Sequence, residues 1–148
     1  MRVLVCGGRD FSNFPGHGAS PGLRKKYSEE KKLLYNTLYD LCDEFDEWTT
    51  PDSYGNKLPT IEIISGCARG ADTTAIDWAV INWTGLHEYP ADWKTHGRGA
   101  GPIRNQQMLS EGKPDIVIAF PGGRGTADMV ARARKAGVPV REIEMTRT

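Results

Sequence analysis

Short blocks of consecutive apolar residues alternate along this chain with longer stretches in which apolar residues return every three or four positions. Val3-Leu4-Val5-Cys6 runs into Gly7-Gly8, Ile61-Glu62-Ile63-Ile64 into Ser65-Gly66, and Ile116-Val117-Ile118-Ala119-Phe120 into Pro121-Gly122-Gly123. Each block predicts a buried strand closed by a tight glycine turn. Leu86 to Tyr89 and Val138 to Ile143 predict two shorter strands. Between them, Leu34, Leu38, Leu41, Cys42, Phe45 and Trp48 place an apolar stripe on a helix predicted from Glu29 to Trp48, with Ser28 as its N-cap. Asp72 is expected to cap a second helix that carries Ile76, Ala79 and Val80 to Trp83, with Gly85 as its left-handed end. Pro102 suits the first position of a third, ending near Glu111-Gly112, and Thr126 suits the cap of a fourth, ending at Ala136-Gly137.

Five predicted strands alternating with four helices imply parallel strands joined by right-handed crossovers. The expected fold is a single α/β domain, Rossmann-like and doubly wound, with helices on both faces of a mostly parallel sheet. Ligands in such folds bind outside the carboxyl ends of the strands, where the order of the strands reverses. The glycine turns fall there. Two stretches exceed ordinary loop length, Asp10 to Tyr27 and Thr49 to Thr60. The first leaves the end of strand one beside the expected site, as a lid or a solvated insertion; the second belongs at the opposite end of the sheet.

Composition narrows the function classes. A chain of 148 residues with 39% hydrophobic and 26% charged positions has the make-up of one globular domain. Nineteen basic side chains against nineteen acidic ones give no net charge, so the electrostatic footprint of a protein holding long nucleic acid is missing. No apolar run approaches the roughly 20 residues of a membrane-spanning helix, and the start of the chain carries no signal-peptide pattern. A soluble, cytoplasmic protein is expected. Cys6, Cys42 and Cys67 are odd in number and widely spaced, and His17, His87 and His96 form no ligand pattern with them, so neither a metal nor a disulfide is implied. Cys67 is either a small reduced side chain or a reactive thiol. No cofactor is implied.

The chemistry sits in the turns. Pro121-Gly122-Gly123-Arg124-Gly125-Thr126 joins a strand to a helix, so unpaired backbone N–H groups converge where an anion is favoured. Thr126 offers a hydroxyl, and Arg124 points either at a ligand or into water. Ser65-Gly66-Cys67-Ala68-Arg69-Gly70-Ala71-Asp72 repeats the arrangement, with Asp72 as a cap, a ligand contact or both. Gly7-Gly8-Arg9-Asp10 supplies a third turn, in which Arg9 could meet phosphate and Asp10 ribose hydroxyls, unless the two are a surface ion pair. Arg104 and Asn105 follow Gly97-Arg98-Gly99-Ala100-Gly101-Pro102; a cation so near a helix start opposes the dipole and favours an anionic neighbour. Met108 reads as core.

At VCGGRDF (Val5 to Phe11), ISGCARGAD (Ile64 to Asp72), AGPIRNQQM (Ala100 to Met108) and PDIVIAFPGGRGTADM (Pro114 to Met129), the sequence resembles the SLOG superfamily, named for the DNA-processing DprA (Smf) proteins and the LOG enzymes. The small YspA-type branch is the most similar. The resemblance implies a Rossmann-like domain that binds a nucleotide or nucleotide derivative such as a nucleoside phosphate or an ADP-ribose-like molecule, as a sensor or sequestering module or as an N-glycosidic hydrolase. LOG enzymes are nucleoside monophosphate phosphoribohydrolases with a P-G-G-x-G-T-x-x-E motif and an arginine in an R-K-x-x-M-like segment. Pro121 to Thr126 and Arg104 with Met108 match these, but the glutamate position holds Met129. Asp128 stands one residue away, a turn of about 100° around a helix. If there is catalysis, Asp128, Asp10 or Asp72 must supply the missing carboxylate, and Arg104 and Asp128 are the catalytic candidates. DprA-like proteins bind single-stranded DNA through an S-G-x-A-x-G-I-D turn and an R-N-R segment, which Ser65 to Asp72 and Arg104-Asn105 partly match; the balanced charge speaks against that use. A homodimer is expected, since LOG-type relatives pair and Trp48, Trp78, Trp83 and Trp93 exceed what a small core absorbs.

Overall fold

In a computed structural model that describes residues 1–145, the three apolar blocks and the two shorter strands form one parallel sheet. Its strands are β1 (Arg2–Cys6), β2 (Glu62–Ser65), β3 (Leu86–Glu88), β4 (Ile116–Ala119) and β5 (Val140–Glu142), in the order β3-β2-β1-β4-β5. All four pairings are parallel; Val3 stands opposite both Ile63 and Ile116. The fold expected from the sequence is present.

Alternation along the strands divides the core in two. Val3, Val5, Ile63, Ile116 and Ile118 pack on one face with α1 (Pro21–Glu44) and α2 (Ala71–Asn82), where Leu34, Leu38 and Trp78 are buried. Leu4, Cys6, Ile64, Val117 and Ala119 point to the other face, under α4 (Ala100–Ser110) and α5 (Arg124–Lys135), which contribute Met108, Leu109, Met129 and Ala133. Burial on both faces is why the strands read as apolar blocks and not as alternating ones.

The helix ends correct several expectations. α1 begins at Pro21, not Glu29; Ser20 is its cap, accepting from Leu23 N at 3.3 Å, and Ser28 lies exposed within the helix. Of residues 21–30 only Glu30 is buried, so the first turns carry no apolar stripe to read. The loop after β1 is correspondingly shorter than Asp10 to Tyr27. The helix stops at Glu44, and Asp46 has φ +52°. Asp72 is the second residue of α2, whose cap is Gly70, and the left-handed end is Trp83 at φ +58°, not Gly85. Pro102 is the third residue of α4; ahead of it lie an unforeseen short helix, α3 (Trp93–His96), and a 3₁₀ turn over Gly97–Gly99. Thr126 is the third residue of α5, after the cap Gly123.

The second long loop folds back on itself through Thr49 N to Leu58 O (2.8 Å) and Thr60 N to Glu47 O (2.9 Å). It belongs to the amino-terminal end of the sheet, where the Met1 ammonium pairs with Glu47 at 3.1 Å. That is the end away from the glycine turns, as expected. Among the described residues no helix is long and apolar enough to cross a membrane.

Candidate functional site

The strand order reverses between β1 and β4, and the turns leaving these two strands touch. Phe120 N donates to Cys6 O at 2.9 Å and Gly8 N to Pro121 O at 2.8 Å. Phe11 stacks on Phe120, ring centroids 5.2 Å apart, and pins the chain after β1. Beside this contact opens a cavity of about 650 Å³, bounded by the β1, β2 and β4 turns, by α4 and by Trp93. Its size lies within the usual range for small-molecule sites.

The glycines of the three turns divide by what surrounds them. A Cβ on Gly7 would lie 2.6 Å from the Ala71 Cβ, and one on Gly8 2.9 Å from Pro121 O. Gly70, at φ +84°, would drive a Cβ into Gly8 O, and Gly122 would drive one into the Thr126 hydroxyl. These four are required by packing of turn against turn. Gly123 and Gly125 are different, because a Cβ at either meets nothing within 4 Å. Both line the cavity at the start of α5, where the first backbone N–H groups have no partner in the helix. Arg124 and Thr126 line it with them.

Arg104 crosses the site. Its Nη1 donates to Gly66 O and its Nε to Asn105 Oδ1 at 3.0 Å. A Cβ on Gly66 would come within 2.6 Å of that Nη1, so a side chain there would displace the guanidinium from its present position. Because α4 begins at Ala100, Arg104 stands in the second turn, and the opposition to the helix dipole expected of it is slight. The charge is instead met by Gly66 O and by the nearby Asp72 carboxylate. Asn105, 4% exposed, joins α4 to the start of α5, with its Nδ2 donating to Gly125 O at 3.2 Å and to Asp128 Oδ2 at 2.9 Å.

Asp72 lines the same cavity, 7% exposed, and accepts from Ala68 N at 3.2 Å. Burial pushes its carboxyl up to about 6, against the lowering effects of the Ala68 N–H and of Arg104 and Arg9. The Cys6 thiol beneath it is pushed up to about 12, chiefly by burial and then by the Asp72 charge. Burial and Glu88 also raise Cys67, so neither thiol is activated. Among the described residues no group of three or more His, Cys, Asp or Glu side chains is placed to hold a metal ion.

Asp128 and Met129, neighbours in α5, face different surroundings. Met129 is fully buried under the sheet with Leu4 and Val117. Asp128 lines the cavity, its Oδ2 held by Asn105 and by Arg132 Nε at 2.9 Å.

Other expected residues lie elsewhere. Ser65 is fully buried, its hydroxyl donating to Asp72 O at 3.1 Å and accepting from Cys67 N at 3.2 Å. Asp10 is 91% exposed and pairs with Arg69 at 3.6 Å, outside the main cavity. Pro121 and Gly122 border the neighbouring crevices. Trp93 and Arg98, which sequence reasoning did not single out, line the main cavity, and the Arg9 guanidinium sits 5.7 Å from the Trp93 ring centroid. Their signal was an isolated tryptophan in a polar, glycine-bearing stretch with no helical stripe to bury it.

A family model described as YAcAr, "YspA, cpYpsA-related SLOG family", matches residues 1–96. The stretch includes the β1 and β2 turns and Trp93; α4 and the β4 turn lie beyond it. The chain is also similar to the Gene 61 protein of Mycobacterium phage D29, 42% identical over 85 residues, which span 53% of this chain and 67% of that protein. No solved structure matches.

Proposed function

The chain belongs to the YspA, cpYpsA-related SLOG family, and from that premise we propose that its main cavity binds a nucleotide or nucleotide derivative. The phosphate lies on the Gly123–Thr126 turn, and the base and ribose extend toward Trp93. The observation that carries this reading is the pair of unobstructed glycines, Gly123 and Gly125, at the start of a helix facing a cavity lined by Arg9, Arg98, Arg104 and Arg124. Four guanidinium groups against the carboxyls of Asp72 and Asp128 favour an anionic ligand. Trp93 offers a face on which a base can stack. The direct test is a thermal-shift screen of the full chain against nucleoside phosphates, NAD and ADP-ribose. The reading expects saturable stabilisation by at least one of them; a well-folded sample unmoved by all would refute it.

A second reading, hydrolysis of the N-glycosidic bond, is favoured by one observation. Asp128 faces the cavity while Met129, at the position of the motif glutamate, faces the core. Cleaving that bond builds positive charge on the ribose, which a nearby carboxylate stabilises. Incubation with nucleoside monophosphates should then release free base, and Asp128→Asn should stop the release. Absence of free base would leave a binding module.

A further inference from the structure

Eight consecutive residues between β3 and α4, Asp92 to Gly99, are exposed, and neither α3 nor the 3₁₀ turn within this stretch buries a side chain. Two of the eight, Trp93 and Arg98, nevertheless line the main cavity. Resting on the nucleotide reading above, we propose that residues 91–99 are a lid, hinged at Gly97 and Gly99, which closes over an occupant of the cavity and carries Trp93 and Arg98 onto it.

The first reason is how lightly the stretch is held. α3 packs mainly on the 3₁₀ turn and on α4. Among the described residues, neither core cluster takes in any of residues 90–99. Across the cavity, the Trp93 ring meets the Arg9 guanidinium 5.7 Å from its centroid, a contact of little weight where both groups are solvated. Trp93 is 47% exposed, so about half of a large apolar ring stays in water until something covers it.

The joints are the second reason. Inside, the stretch is a closed unit. Asp92 Oδ1 accepts from Thr95 N at 3.1 Å, Asp92 O from His96 N at 3.0 Å, and Trp93 O from Gly97 N. Bending therefore falls at its ends. Gly97 has φ +53° and ψ −131°, a backbone that side chains rarely adopt. Gly99 has an ordinary backbone, φ −78° and ψ −9°, and a Cβ there would meet only Ile103 Cδ1 at 3.9 Å. Neither conformation nor packing requires glycine at 99; its effect is to loosen the junction between α3 and α4. Hinges are made of a few such residues at the ends of elements.

The test is amide hydrogen exchange of the full chain, resolved residue by residue by NMR, without ligand and with whichever of AMP, UMP, NAD and ADP-ribose stabilises the fold. The amides to follow are Thr95, His96 and Gly97, whose hydrogen bonds lie within α3 and whose residues do not line the main cavity. In the free protein, one turn of helix without a buried anchor should protect them less than about tenfold. Bound nucleotide should slow their exchange at least about tenfold further. Gly99→Ala, which stiffens the junction without a clash, should slow association and dissociation of that nucleotide together, each about threefold or more in stopped flow. Protection in the free chain as strong as in the body of α4 would overturn the lid whatever binds. A stabilising nucleotide that leaves Thr95 to Gly97 unchanged, or slows only Trp93 and Arg98, would overturn it and leave the nucleotide reading standing. So would unchanged rates in Gly99→Ala. Binding of none of the four compounds would remove both.

Discussion

Asp72 shows most clearly how one residue can carry several roles. From sequence it is a helix cap, a ligand contact or both; in the fold it is the second residue of α2, buried beside Arg104 on the wall of the cavity. Its carboxyl titrates at about 6 in the folded chain against an ordinary value of 3.8, because burial disfavours the charged form. Between those values the native state holds a proton that the unfolded chain has lost, so stability falls as pH rises from about 4 to 6 and is level above. At roughly 1.4 kcal/mol per unit, the fall is at most about 3 kcal/mol. Asp72→Asn stays neutral throughout. Urea denaturation should therefore show the variant gaining on the parent between pH 4 and pH 6; parallel curves would place Asp72 in a more solvated setting. The sequence could not show this burial, since it arises from Gly66 and Arg104 meeting it from β2 and α4.

Among the elements, the central strands and the body of each long helix were legible because a doubly buried strand is an apolar block and a sheet-facing helix an apolar stripe. The start of α1 was not legible, because its first turns face solvent and carry Pro21 and Gly22, which read as loop. Proline is nevertheless favoured at the first helical position. The observed cap makes a discriminating prediction: Ser20→Ala should cost about 1 kcal/mol, while Ser28→Ala should change stability by less than about 0.5 kcal/mol. Chemical denaturation of both variants decides it, and the reverse ranking would restore the later start. α3 was missed because one turn of helix has no period to detect. Asn105, expected at the site and found on the cavity wall, also works between elements. It holds α4 against the start of α5 through Gly125 O and Asp128. Asn105→Ala removes these bonds, one of them to a carboxylate, from a part-buried contact and should cost about 1–3 kcal/mol, read as a lowered midpoint in urea. A variant as stable as the parent would mean that the two helices hold their positions without it.

At the scale of the whole molecule, the alternation of strands and helices led to the parallel, doubly wound sheet, and the family and the architecture agree with that reading. What composition could not reveal is how evenly balanced charges are distributed. Nineteen basic and nineteen acidic side chains cancel over the chain, yet arginines outnumber carboxylates two to one around the main cavity. A pocket of this kind concentrates small anions without the broad basic surface that a nucleic-acid strand needs. A single-stranded oligonucleotide should accordingly bind no more tightly than a mononucleotide of the same base, measured at 0.15 M salt. Steeply salt-dependent oligonucleotide binding would contradict this.

The central claim, a phosphate on the open start of α5, is tested most directly at Gly123. A Cβ there meets no protein atom within 4 Å, so Gly123→Leu should keep the fold, at a cost of about 1 kcal/mol or less for replacing the helix cap, while occupying the space a phosphate needs. Isothermal titration of parent and variant with the best nucleoside phosphate should show affinity weakened at least about a hundredfold, equivalent to about 2.7 kcal/mol. Equal affinity in a folded variant would remove phosphate from the turn.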